Sequence, residues 1–172
     1  MLERERVGKE NSPSLLAIDS QSVKIVQFTF EEKGIDGGKL INGRKRTMLV
    51  DTLGLPWAIK VTAANISDNQ AGILAVDLLK ERVPRLEKIT ADRGYKNTFV
   101  NYVKTEYGVE VEIAQKPESK EGFIPQKNRW QVERSFGWLN FRRRLFRDVE
   151  KTILSAEAML QIAFISFIIN RL

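Results

Sequence analysis

The order of strand-like and helix-like segments constrains this chain more than any single residue does. Residues 15–18 (Leu-Leu-Ala-Ile) form a short apolar run that predicts a buried strand ending at Asp19, and a second β-prone run covers residues 23–30. Residues 47–50 and 57–62 read as two further strands, joined by Asp51-Thr52-Leu53-Gly54-Leu55-Pro56, a connection whose Gly and Pro suit a hairpin. Between the second and third runs, Gly34, Gly37, Gly38 and Gly43 break up residues 34–46, which predicts a mobile loop. After this antiparallel start the pattern changes. Ser67-Asp68-Asn69-Gln70 has the S-x-x-Q form of a capping box, and Ile73, Leu74 and Leu78 carry a helix that Pro84 stops. Residues 88–91 then read as a strand delivering Asp92, and Asn97 caps a helix running to Gly108. Val109, Val111 and Ile113 alternate with Glu110 and Glu112 as in a half-exposed edge strand. Residues 116–126 suit a surface connection, residues 127–147 a helix with a basic face, and residues 155–172 a last, mostly buried helix.

Early strands followed by alternating helices and strands imply a mixed sheet covered by helices, an α/β domain spanning residues 15–172 behind a flexible lead-in of residues 1–14. The ribonuclease-H-like arrangement is one such solution, in which acids at strand ends and on a late helix converge although they are distant in sequence. At 172 residues and 42% apolar content the chain is long enough to bury a core. No apolar stretch has the length and purity of a membrane span, and the charged start lacks the apolar segment of a signal peptide, so a cytoplasmic protein is expected.

Two absent residue types narrow the chemistry. Without cysteine there are no disulfides, thiolate metal sites or thiol nucleophiles. Without histidine there is no Ser-His-Asp triad, no imidazole metal ligand and no imidazole base, so catalysis must rest on carboxylates, hydroxyls, Lys, Arg or a metal. Lys and Arg outnumber Asp and Glu by 28 to 22, for a net charge of +6, which favours polyanionic partners.

Among seven Asp and fifteen Glu, only Asp19, Asp51 and Asp92 directly follow apolar or β-prone runs. Asp51 opens a Gly- and Pro-containing turn, where Asp commonly binds backbone amides. Asp92 is followed by Arg93-Gly94-Tyr95, so it is either a turn residue or a carboxylate at a strand end that a substrate backbone can approach. Glu133 lies on the basic helix four residues after Arg129, and reads equally as one half of an exposed ion pair or as a third acid of a site. If three acids converge, their repulsion calls for divalent cations such as Mg²⁺ or Mn²⁺. Two ions ~3.5 to 4 Å apart can act on both sides of a phosphate without any histidine.

Residues 127–147 hold seven Lys or Arg and one acid, Glu133, and include Arg142, Arg143, Arg144 and Arg147. Such a run is either a solvated helix face or a phosphate-binding surface. Arg44, Lys45 and Arg46, beside the glycine-rich segment, are a hairpin tip or a second grip on a nucleic-acid backbone. Tyr95, Trp130 and Trp138 either stack on splayed bases or belong to the core.

Seven segments, in order, resemble one known family: Asp19-Ser20-Gln21-Ser22-Val23-Lys24, Gly34-Ile35-Asp36-Gly37-Gly38-Lys39, Gly43-Arg44-Lys45-Arg46, Leu49-Val50-Asp51-Thr52-x-Gly54-Leu55, Ala64-Asn65-x-x-Asp68, Ala91-Asp92-Arg93-Gly94-Tyr95 and Val132-Glu133-Arg134-Ser135-Phe136-x-Trp138-Leu139. The chain is similar over residues 15–150 to the DDE transposases of bacterial insertion sequences, the insertion-sequence-five group. The resemblance implies a ribonuclease-H-like fold with Asp19, Asp92 and Glu133 as catalytic metal ligands for two Mg²⁺ or Mn²⁺ ions. It implies cutting of transposon ends and joining of the 3′-hydroxyl to target DNA, with Arg44, Lys45, Arg46, Arg129, Arg142, Arg143 and Arg144 as DNA contacts. Asn140 and Thr47 depart from the pattern, standing where relatives carry a basic residue and a histidine. Relatives usually carry a helical DNA-binding region ahead of the first Asp, so the expected partners are DNA, an upstream-encoded DNA-binding part and a second copy, at the bacterial nucleoid and away from membranes. Two rival expectations are a non-catalytic DNA-binding fragment that regulates the full enzyme, and a related nuclease acting on hybrids or junctions.

Overall fold

The computed structural model describes residues 2–29, 31–114 and 129–170. A short helix, α1 (Leu2–Arg6), precedes the strands β1 (Leu15–Lys24), β2 (Gly34–Asp36), β3 (Ile41–Val50) and β4 (Pro56–Ala63). Helix α2 (Asp68–Val76), strand β5 (Lys88–Ala91), helix α3 (Asn97–Tyr107) and strand β6 (Glu110–Ile113) follow. Helices α4 (Trp130–Asn140) and α5 (Ile153–Ile169) complete the described chain. The sheet runs β2-β3-β1-β5-β6 with β4 also on β3; β1, β3 and β4 are antiparallel, while β5 joins β1, and β6 joins β5, in parallel. This is the ribonuclease-H-like mixed sheet flanked by helices that the order of segments implied.

Strand alternation divides the core in two. Leu16 and Ile18 of β1, with Leu49, Ala58, Ile89 and Ala91, meet Ala75 and Val76 of α2 and Phe99 and Val103 of α3. Ala17, one residue out of phase, lies with Met48, Val50, Ile59 and Val61 against Val132, Phe136 and Leu139 of α4 and Leu160 and Phe164 of α5. Asp19 and Gln21 share the parity of Ala17 and so belong to the α4/α5 face. Ser20 shares that of Leu16 and belongs to the α2/α3 face.

Several boundaries differ from expectation, each for a tertiary reason. Strand β1 runs on from the first β-prone run through Asp19 and takes in only Val23 and Lys24 of the second, paired to β3 from Ala17↔Val50 to Lys24↔Gly43. The segment expected to be a loop supplies β2 and most of β3, an inner strand with β1 on one edge and β4 on the other. At Gly43 an added Cβ would run into the backbone carbonyl of Val23, so this glycine permits close approach of two strands. The lead-in is structured at residues 2–6, where Arg4 is buried against Asp51 at 2.6 Å. The basic helix ends at Asn140, and residues 143–145 form one 3-10 turn. Helix α5 starts at Ile153, capped by Thr152, and buries only Ala156, Leu160 and Phe164 fully; Leu154, Ile162, Ile165 and Ile169 are exposed. The surface connection expected at 116–126 lies outside the described residues.

Candidate active site

Register explains how acids distant in sequence become neighbours. The last parallel pair between β1 and β5 is Ala17↔Thr90, so Asp19 and Asp92 each stand two residues further along adjacent strands, on one face. Glu133 comes to that face on α4, whose Val132 and Phe136 anchor it in the core. Arg129 connects two of the acids: its Nη2 is 3.3 Å from Asp19 Oδ2 and 3.6 Å from Glu133 Oε1. The pair with Glu133 considered in the sequence therefore exists, and the same guanidinium also reaches Asp19. Asp19 is held further by the Ser20 backbone N–H, which donates to Oδ1 at 2.8 Å.

Burial pushes the Asp19 carboxyl up to about 6; the Ser20 amide and Arg129 work against that rise, and the charges of Asp92 and Glu133 add to it. Among the described residues, no group of three or more acids is placed so that it could hold a metal ion.

A fourth acid adjoins these from the opposite sheet face. Asp68, at the start of α2, accepts from Ser20 Oγ at 2.7 Å and from Lys45 Nζ at 2.8 Å, both on Oδ1. Lys45 Nζ also donates to the Ile66 carbonyl at 2.7 Å. A Cβ added at Gly94 would lie 2.8 Å from Asp68 Oδ2 and 2.9 Å from Asp92 Oδ1, so this glycine keeps open the space that both carboxylates border. In the sequence Asp68 stood in a helix-start pattern and in the segment Ala64-Asn65-x-x-Asp68, without a site role; its pairing with Ser20 and Lys45 depends on strand parity and on where α2 docks. Tyr95, considered for base stacking, is a core residue: it is 1% exposed and edge-to-face with Phe99 at 5.0 Å. Burial, and next the charges of Asp19 and Asp68, push its phenol well above the ordinary range.

The basic residues fall into three groups. Arg44 and Arg46 correct the expectation of DNA contact. Arg44 is fully buried, 3.3 Å from Asp148 Oδ1 and donating to the carbonyls of Glu31 and Glu150, while Arg46 donates to the Leu145 carbonyl. Parity turns both inward under residues 145–152, where they tie the chain after α4 to the sheet. Lys45 and Arg129 are bound to acids of the site. Arg142, Arg143 and Arg144 are exposed; Arg142 donates to Ser166 Oγ at 3.1 Å, and Arg144 pairs with Glu150 at 2.9 Å. Trp138 is stacked on Phe167 at 4.1 Å, and Arg134 lies over Trp130 and Trp138 at 4.2 and 4.8 Å. The Asp51 turn holds as read, with Oδ1 accepting from the amides of Leu53 and Leu55, and Arg4 and Trp57 Nε1 are added on Oδ2.

A model of the transposase DDE domain matches residues 10–169. The chain belongs to that family. Within the DDE domain family, a transposase for insertion sequence element IS402 of Burkholderia cepacia is 31% identical over 110 residues, covering 60% of this chain and 52% of that protein. The fold is also that of a chain in a simian T-cell lymphotropic virus intasome solved with the PP2A regulatory subunit B56 gamma. That likeness has a TM-score of 0.54 at 15% identity and covers 90% of this chain and 48% of that one. The chain thus spans about half the length of each protein it matches. No described helix is long and apolar enough to cross a membrane.

Divalent ions are what membership of this family implies, and the donor chemistry of Asp19, Asp92 and Glu133 suits them, while their arrangement in this structure does not gather three acids around one ion. Every candidate ligand is a carboxylate, the hard oxygen donor that Mg²⁺ and Mn²⁺ take. Asp19 is half-buried, with the charges of Asp92 and Glu133 as well as that of Arg129 acting on it.

Proposed function

We propose that this DDE domain is the catalytic part of a transposase that cuts DNA at insertion-sequence ends and joins the freed 3′-hydroxyl to target DNA. Asp19, Asp92 and Glu133 would hold two divalent ions, Mg²⁺ or Mn²⁺. Bound there, the ions supply Lewis-acid stabilisation to a phosphate undergoing in-line displacement. The protein's own part is orientation. The paired strand β1 and the Ser20 amide hold Asp19, the Gly94 amide donates to Asp92 Oδ1 at 2.8 Å, and the anchored face of α4 carries Glu133. Arg129 offsets Asp19 and Glu133 in the meantime and belongs to the face a phosphate would approach.

The observation that carries this reading is the placement of the acids: Asp19 and Asp92 follow the paired residues Ala17 and Thr90 of β1 and β5, and Arg129 at the start of α4 reaches Asp19 at 3.3 Å and Glu133 at 3.6 Å. The test is nicking or joining of supercoiled and insertion-end DNA by the chain. Activity is expected in Mg²⁺ or Mn²⁺, abolished by EDTA and reduced to background in Asp92→Asn. Equal activity in wild type and Asp92→Asn overturns the assignment.

A further inference from the structure

Two phenylalanines that the transposition chemistry leaves unused stand exposed just beyond α4: Phe141 is 87% exposed and Phe146 70%. Exposed aromatics of this size mark a binding surface when they are grouped and bordered by polar residues. Here they alternate with exposed Arg142, Arg143, Arg144 and Arg147. Phe146 lines a concavity of about 390 Å³ with Gln21, Val23, Ile41, Asn140 and Arg147. Lys24 borders this concavity and a second one of about 560 Å³, which runs on past Lys33 and Leu40.

The concavity continues the face of the acids. Gln21 is two residues from Asp19 on the same side of β1, about 6.6 Å along the strand. Asn140 is seven residues from Glu133, two helical turns along nearly the same face of α4 and about 10 Å away. Gln21 Nε2 and Asn140 Oδ1 meet at 3.4 Å, closing strand and helix together at the mouth. The far wall is fastened, since the Asp148 amide donates to the Lys24 carbonyl at 2.8 Å and Val26 returns a bond to the Asp148 carbonyl.

We infer that this groove binds a single, unstacked DNA strand leading away from the carboxylates, with Phe146 as a stacking platform, Phe141 beside its entrance, and Arg147 and Lys24 on the backbone. The inference rests on the proposed transposase reading for its choice of DNA. Charge complementarity selects a polyanion, and exposed rings among arginines select one that offers π-faces. Unstacked bases do so, whereas a duplex buries them.

Fluorescence anisotropy of the full chain with a labelled fifteen-nucleotide oligo-dT, its duplex and heparin, a polyanion without bases, tests this. Phe146→Ala and Phe146→Leu should weaken oligo-dT binding by about tenfold or more, leave heparin and duplex binding within about twofold, and keep the urea midpoint, since the ring is exposed. Equal loss on heparin and oligo-dT, unchanged oligo-dT binding, or no oligo-dT binding by the wild type each overturns the inference. A dimer that Phe146→Ala converts to monomer also overturns it, assigning the surface to a second copy. Asp92→Asn separates the two claims: it should abolish nicking while retaining the Phe146-dependent binding. Nicking by Asp92→Asn overturns the catalytic assignment alone.

Discussion

Arg44 and Asp148 form an ion pair at 3.3 Å in which neither side chain has any solvent exposure. Desolvating two charges is costly, and it is offset here by an unusual number of acceptors. The same guanidinium serves carbonyls of Glu31, Glu150 and Lys151, and Asp148 accepts from the Glu150 amide. Removing one partner strands the other. Asp148→Ala should therefore lower unfolding stability by about 3 to 5 kcal/mol, read as a shifted urea midpoint, whereas Arg143→Ala on the exposed run should stay within about 0.5 kcal/mol. A midpoint for Asp148→Ala near that of wild type would mean the pair contributes little. Residues of one chemical type thus had different fates. Gly-Arg-Lys-Arg in the sequence suits a DNA grip, and only strand parity and the path of residues 145–152 decide that Arg44 and Arg46 point inward while Lys45 points to Asp68. Strand ends, a following glycine and ordered motifs made Asp19, Asp92 and Glu133 legible as candidates. Asp68 was not, because its signal is also that of a helix cap.

Elements built from local patterns were the readable ones. The hairpin β3–β4, helix α3 with its left-handed Gly108 at φ +65°, and edge strand β6 follow from turn residues, caps and period-two alternation. The length of β1, the existence of β2 and the end of the basic helix were not readable, since pairing with β3 and docking against β4 set them. Helix α5 shows the limit of composition: an almost wholly apolar run reads as buried all round, yet it lies at the surface with one stripe inward. The stripe and its outer face should respond differently. Leu160, fully buried, should cost about 2 to 5 kcal/mol as Leu160→Ala, while Ile162→Ala, at a site 56% exposed, should stay within about 0.5 kcal/mol. Comparable losses in urea unfolding would show that the outer face is covered in solution.

At the scale of the molecule, one sheet carries its chemistry on one face and its restraints on both. The α4/α5 face presents Asp19, Glu133 and the groove beyond Gln21; the α2/α3 face contributes Ser20, Lys45 and Asp68, which steady the same strand from behind. Membership of the DDE domain family and a net charge of +6 are what the proposal of a DNA partner rests on. We propose, more narrowly than transposition, that Asp19 of β1, Asp92 just past β5 and Glu133 of α4 together bind a divalent cation. Titration of the full chain with Mn²⁺, following the free-ion electron paramagnetic resonance signal, tests it most directly. The wild type should bind Mn²⁺, and Asp92→Asn and Asp19→Asn should weaken binding at least about tenfold while keeping the urea midpoint. Unchanged Mn²⁺ affinity in both variants would contradict the claim.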